Sequence, residues 1–182
     1  MMEAHPLLDQ RVILVDDAIT DEIAQVVIAQ ILFLRFRDGD APIQLYLASP
    51  GGLVTATLAI FDTIEYCAAT PAIHTHVFGD TFGAATLLAA AGARGHRFIA
   101  SQARIGAGPF HGATASESHA AEARDVRRLC RSTWRTVARL TSRRVEEVER
   151  EWSHDFWLSA DEARSRGYID HVRDEIARPV PG

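Results

Sequence analysis

At 182 residues, 47% hydrophobic and 24% charged, the chain is sized for one globular domain over residues 1–182 that folds around its own core. Its formal net charge of −5 argues against nucleic acid as a partner, and with arginine supplying all nineteen basic residues, amine-nucleophile and Schiff-base chemistry is excluded. Cys67 and Cys130 lack metal-ligand spacing, no apolar run nears the roughly 20 residues of a membrane span, and no basic-then-apolar leader opens the chain, so a cytoplasmic protein off the membrane is expected.

Arg11 to Val15 predicts a short strand, and Thr20-Asp21-Glu22 caps a helix whose Ile23, Val26, Val27, Ile31 and Leu34 recur at helical spacing. After a loop at Asp38-Gly39-Asp40, Ile43 to Leu47 is the next strand. A Ser-Pro-Gly-Gly turn follows, then a helix through Leu58, Ile60, Phe61 and Ile64 that ends before Pro71. Ala72 to Phe78 is a strand, and Gly83 to Ala91 a helix of small residues stopped by Gly92-Ala93-Arg94-Gly95. Two short strands, His96 to Ala100 and Arg104 to Ala107, lead into a loop. A long helix from Glu117 to Leu140 carries arginine on one face, Ser142 caps another, Ser159 begins the last, and Tyr168 to Val172 closes as a strand. Strand–turn–helix units of this length imply right-handed crossovers and a mostly parallel sheet, an α/β fold. The basic run from Arg124 to Arg150 also holds Asp125, Glu146, Glu147 and Glu149, with Glu151 directly after it, and so reads as a solvated or intersubunit face.

Two strand-to-helix corners carry the chemistry, Ser49-Pro50-Gly51-Gly52 and Gly79-Asp80-Thr81-Phe82-Gly83-Ala84. Corners of this kind aim backbone N–H groups into one pocket, the geometry of an oxyanion hole, and here the amides of Gly52 and Ala84 would be the donors, with Gly51 making the turn. The plainer reading of Gly51-Gly52 is a tight start to a helix. No serine or cysteine stands at the second corner. His74 and His76 alternate along one strand and face one side, but no third ligand lies near in sequence, so neither metal nor cofactor is expected. Asp80 is a corner residue or a general base beside the pocket, and Asp62 with Glu65 a polar helix face.

With these elements in this order, the chain resembles the Clp protease proteolytic subunit (ClpP) family from about residue 7 to 174. The resemblance rests on VVIAQILFL at Val26 to Leu34, LYLASPGGLVTA at Leu45 to Ala56, AIFDT at Ala59 to Thr63, GARGHRF at Gly92 to Phe98, and LSADEA at Leu158 to Ala163 before Gly167-Tyr168-Ile169-Asp170. It implies a ClpP/crotonase-type stack of strand–strand–helix units, assembly into seven-membered rings around a proteolytic chamber, and work alongside a hexameric AAA+ unfoldase.

The family's activity comes from a serine, a histidine and an aspartate: the imidazole takes the hydroxyl proton and the carboxylate orients the imidazole. By resemblance Asp155 holds the aspartate position. The strand end Arg104-Ile105-Gly106-Ala107-Gly108-Pro109 is one residue short of the family's, and Gly108 (Ala107 if counted back from the proline) falls where the histidine belongs. His111, three residues on, is the fallback base. The nucleophile position depends on register. Anchoring on Pro71, Gly79 and Gly92 to Gly95 places Gly83 there; counting on from Gly52 without a gap places Thr81 there instead. The second choice pushes a two-residue insertion into the following helix and turns its face by about 200°, so the first is preferred.

Further departures follow. The chain starts almost at the first strand, without the family's axial-loop segment, which puts unfoldase contact by that route in doubt. Phe110 to Ser118, in place of the ring-to-ring handle, is shorter than the family's. Tyr46 matches an aromatic of the family's docking cleft, while Gln44 stands where a second aromatic is usual. The resemblance therefore implies a structural or regulatory ring subunit, homo- or hetero-oligomeric, akin to the inactive subunits that some bacteria and plastids mix into Clp rings. Two alternatives stay open: an active Clp peptidase using Thr81 with His111 or Asp80 as base, and a crotonase-like acyl-thioester enzyme using the oxyanion hole with a carboxylate base.

Overall fold

The computed structural model describes residues 6–67, 72–109 and 120–173. A short helix, α1 (Pro6–Asp9), precedes β1 (Val12–Val15), α2 (Asp21–Arg37), β2 (Ile43–Leu47), α3 (Val54–Tyr66) and β3 (Ile73–Val77). The chain continues through β4 (Asp80–Phe82), α4 (Ala85–Ala90), β5 (Arg97–Ala100) and β6 (Arg104–Ala107). It ends in α5 (Ala120–Thr141), α6 (Val145–Trp152), β7 (Phe156–Ser159), α7 (Ala160–Ser165) and β8 (His171–Arg173).

Strand alternation explains the larger sheet. Ile43, Leu45 and Leu47 of β2 are buried while Gln44 and Tyr46 between them are not, and a strand with one such face seeks neighbours that repeat the pattern. Five strands do so, all parallel, in the order β1-β2-β3-β5-β8. Their apolar face, with Ile13, Val15, Ile73, Val77 and Ile99, meets Ala24, Val27, Ile31 and Leu34 of α2 and Ala56, Ile60, Phe61 and Ile64 of α3 in a continuous core. Each fully buried aliphatic side chain contributes about 1.5–3 kcal/mol. Thr20 caps α2 as predicted, its hydroxyl accepting from Ile23 N–H at 3.3 Å, and Ser159 closes a full capping box with Glu162 on α7.

A second, three-stranded sheet, β4-β6-β7, stands apart from the first. Neither β4 nor β7 is predicted from the sequence, because three- and four-residue segments carry too little period to be recognised. β4 runs parallel to β6, and β6 antiparallel to β7, within the mostly parallel pairing expected. Ser142 is also corrected. At φ 56° it terminates α5 in the left-handed region, and Arg144 is the residue that precedes α6. α5 reaches Thr141; its predicted start at Glu117 lies outside the described residues, as do His111 and the Phe110 to Ser118 segment.

One ion pair anchors the last strand. Arg97, with a side chain only 6% exposed, donates to both oxygens of Asp170 and to the carbonyls of Leu140 and Gly167. The amides of Gly95 and Arg97 add bonds of 2.8 and 3.2 Å to the same carboxylate. Burial pushes the Asp170 carboxyl up, but the bonds and charge of Arg97 together with those two amides outweigh it and hold it below its ordinary 3.8. The stabilisation is therefore present above pH 3.8 and is lost as the pH falls through the lower folded value. Asp170→Asn is expected to cost about 3 kcal/mol at neutral pH by leaving Arg97 buried and unpaired. Denaturant unfolding should show that gap to wild type closing in strong acid.

Candidate functional site

The Ser49–Gly52 turn is clamped from three sides. Ser49 is fully buried; its hydroxyl donates to Asp17 O at 2.7 Å and accepts from Gly51 N–H at 3.1 Å. Ile19 N–H donates to Gly51 O at 2.7 Å and Leu53 N–H to Ile19 O at 2.8 Å. Gly52, at φ 148°, lies so close to this segment that a Cβ would overlap the Ile19 backbone. Phe82 N–H donates to Ser49 O at 2.9 Å, which brings the second corner against the first. A Cβ on Gly51 would stand 2.7 Å from Phe82 O and 3.5 Å from Ala84 N. Among the described residues, neither the Gly52 nor the Ala84 amide meets an acceptor. Two free donors on facing corners are the raw material of an oxyanion site.

Gly83 makes the sharp turn from β4 into α4 at φ 61°, a conformation unfavourable for any residue with a Cβ. Its N–H donates to Gly106 O at 2.9 Å, and the nearest atom to an added Cβ, Pro50 O, is 4.0 Å away. A sharp strand-to-helix turn with open space above it is the shape that presents a nucleophile in α/β-hydrolases. Here the position carries no side chain.

The small sheet brings the other two positions to the same rim. Phe82 lies beside Gly106 in the parallel pair, and Ala107 opposite Phe156 in the antiparallel one. The next residues along, Gly83, Gly108 and Asp155, therefore collect at one end of the sheet. Gly108 and Asp155 are in contact: a Cβ on Gly108 would overlap Asp155 Oδ1 and come within 3.3 Å of Asp155 Cα. The carboxylate occupies the space over the glycine. Thr81 takes the opposite side of the sheet, since it pairs with Ile105, is fully buried, and leaves its Oγ1 without a partner among the described residues. Strand alternation turns it away from Asp155.

On the outward face, one row from Gly108 and Asp155, lies a cluster that sequence reasoning missed. The Phe82 and Trp157 rings meet across Gly106 at 4.9 Å, Arg104 sits 4.8 Å over the Trp157 ring, and Asp80 pairs with Arg104 at 2.6 Å. A Cβ on Gly106 would stand 2.9 Å from Phe82 and 3.0 Å from Trp157, so only glycine lets the two rings touch. Asp80 thus has its carboxylate committed: its hydrogen bond and charge raise the Arg104 guanidinium above its ordinary value. Nothing in the sequence marks this cluster, because the pairing of β4, β6 and β7 creates it.

The free face of the larger sheet is a second candidate surface. Phe78, Tyr46, His76, Phe98 and His171 stack in one file, with centroids 5.2, 4.6, 4.9 and 5.4 Å apart in that order. His74 stacks on His96 at 4.2 Å, and Gln44 bridges the neighbours, donating to His74 Nδ1 and accepting from His76 Nε2 at 2.8 Å. His74 and His76 share a side, as their spacing predicts. Among the described residues, however, no three histidine, cysteine or acidic side chains are grouped to hold a metal. Burial lowers both imidazoles from 6.5 to about 4, with help from His96 at His74, and from His74 and Arg173 at His76. Their stabilising neutral form is fully present above pH 6.5 and is lost as the pH falls towards 4. Urea midpoints should therefore decline across that interval, and His74→Gln with His76→Gln should make the decline shallower.

No helix among the described residues is long and apolar enough to cross a membrane. In comparison with known proteins, a family model described as Clp protease matches residues 2–175.

Proposed function

The chain belongs to the Clp protease family, and from that premise we propose that it is a Clp-type subunit that acts by assembly and not by peptide hydrolysis. The observation that carries this reading is the pair of glycines on the rim of the small sheet. Gly83 stands at the strained corner where the family's serine belongs, and Gly108 packs directly on Asp155 where its histidine belongs. Acyl transfer by this route needs a hydroxyl and an imidazole to take its proton; glycine supplies neither. Asp155 keeps the carboxylate with no imidazole at position 108 to orient. Thr81 offers no substitute, being fully buried on the other side of the sheet. Fluorogenic peptides spanning several side-chain classes should show no turnover above buffer with the wild type or with Thr81→Ala. Turnover that the substitution abolishes would overturn the reading and make Thr81 the nucleophile.

A cytoplasmic ring subunit, homo- or hetero-oligomeric, also needs surface to assemble through. The outer side of α2 exposes Val26, Phe33 at 50% and Phe36 at 81%, with Tyr66 beside it under the Arg35 guanidinium. Contiguous exposed apolar surface of this kind favours a protein neighbour. Light scattering is expected to give a mass several times that of one chain, and Phe33→Glu with Phe36→Glu to reduce it to the monomer. A wild type that is monomeric at every concentration would sink the ring.

The amides of Gly52 and Ala84, unpartnered among the described residues, together with a carboxylate at Asp155, favour one second reading. In it an acyl-thioester enzyme stabilises an enolate at the amides and uses a carboxylate base. A rise in melting temperature with coenzyme A would support it, and the assembling subunit should be indifferent.

A further inference from the structure

The long helix α5 carries a line of arginines that the reading above leaves unused. Its inward side is set by Thr133, Val137 and Thr141, all buried, with Ala138 beside them. The opposite side exposes Arg127, Arg131, Arg135 and Arg139 at four-residue spacing, with Arg128 and Ser132 alongside. Successive members rise about 6 Å along the axis. Arg127, Arg128, Arg131, Ser132 and Arg135 line a groove of about 560 Å³.

This stripe is not neutralised within the described chain. No acidic residue occurs between Val126 and Ser142. Arg139, at the end nearest the body, pairs with Glu65 of α3 at 2.8 Å, but Arg127, Arg128, Arg131 and Arg135 have no ion pair among the described residues. Like charges at i and i+4 work against the helix that carries them. The arrangement costs local stability and gains nothing from the described residues of its own chain.

We propose that this face of α5 docks an acidic helix of a different protein, one with carboxylates repeated every four residues. Arg139 with Glu65 shows in miniature the contact the other arginines lack. A helix partner has the same rise per turn, so its carboxylates stay in step with the guanidiniums along several turns, and arginine can grip each in a forked pair. A second copy meeting this face by two-fold symmetry would set the stripe against itself, and like-charge contact selects against that pairing. Nucleic acid fits less well. The rest of the chain is acidic enough to bring the total to −5, and the exposed part of the stripe holds only arginine and serine, with no aromatic ring for a base to stack on. The inference goes beyond the assembly proposed above and does not require a ring.

The test measures fluorescence anisotropy of three labelled probes titrated with the full-length protein. The probes are a helical peptide of about 20 residues with glutamate at every fourth position, a scrambled peptide of the same composition, and a single-stranded oligonucleotide of equal charge. The ordered peptide should bind about tenfold more tightly than its scramble. Arg131→Ala with Arg135→Ala should remove that advantage while leaving the protein's melting temperature and its own oligomeric mass unchanged. Equal binding of the two peptides would reduce the stripe to diffuse charge attraction and overturn the proposal. Tighter binding of the oligonucleotide would overturn it in favour of a phosphate surface. A fall in the protein's own mass on substitution would overturn it in favour of self-contact. The ring is read by wild-type mass alone, so failure of one idea is distinguishable from failure of the other.

Discussion

The rest of the structure depends on the contact between two turns, fixed by the bond from Phe82 N–H to Ser49 O. It ties the turn after β2 of the large parallel sheet to β4 of the small one. Everything around it is arranged for close backbone approach: Gly51 against Phe82 O, Gly52 against Ile19, and Ser49 buried with its hydroxyl held by Asp17. A Cβ at Gly51 would force the corners apart, and with them the amides of Gly52 and Ala84, whereas one at Gly52 would displace the Ile19 segment. The two sheets meet where backbone, not side chains, does the recognising, and such a place tolerates little change.

At two points of that backbone frame, Gly83 and Gly108, the chain carries no side chain. A strained corner normally exists because a reacting group must be held there. At Gly83 the strain has no cost, since glycine occupies the left-handed region freely. At Gly108 the absence of a side chain has let Asp155 settle onto the strand, and Phe82 and Trp157 have closed across Gly106 nearby. The rim is packed for its present residues. Any side chain at Gly108 would require Asp155 to withdraw.

Charge is handled in two ways. Where it is buried, it is paired, as with Arg97 and Asp170. Arg143 likewise meets Glu151, which also accepts from Tyr168 at 3.3 Å. Burial first, then the Glu151 charge, raises the Tyr168 phenol and keeps it protonated. At the surface, charge is segregated: from Arg127 to Arg139 the exposed charged residues of α5 are all arginine, within a chain that is acidic overall. Screening makes exposed charges weak contributors to stability, so the segregation bears on partners and not on the fold.

The sequence determined a good deal on its own. The alternation in Ile43–Leu47, the helical spacing in α2, the caps at Thr20 and Ser159, and the glycines of the two corners are local features that each dictate local geometry. Together with the resemblance they point to the α/β fold and to the family. The glycine of the second corner was legible because a strand-to-helix turn at positive φ calls for one. What only the tertiary structure decided depends on contacts far apart in the chain. Which face Thr81 presents is set by β4 pairing with β6. That Gly108 lies on Asp155 is set by β6 pairing with β7, across nearly fifty residues. The four stacked rings of Tyr46, His76, Phe98 and His171 come from four different strands. Period and propensity act over a few residues, whereas a site gathered at strand ends is fixed by register between segments, and register exists only once the sheet has formed.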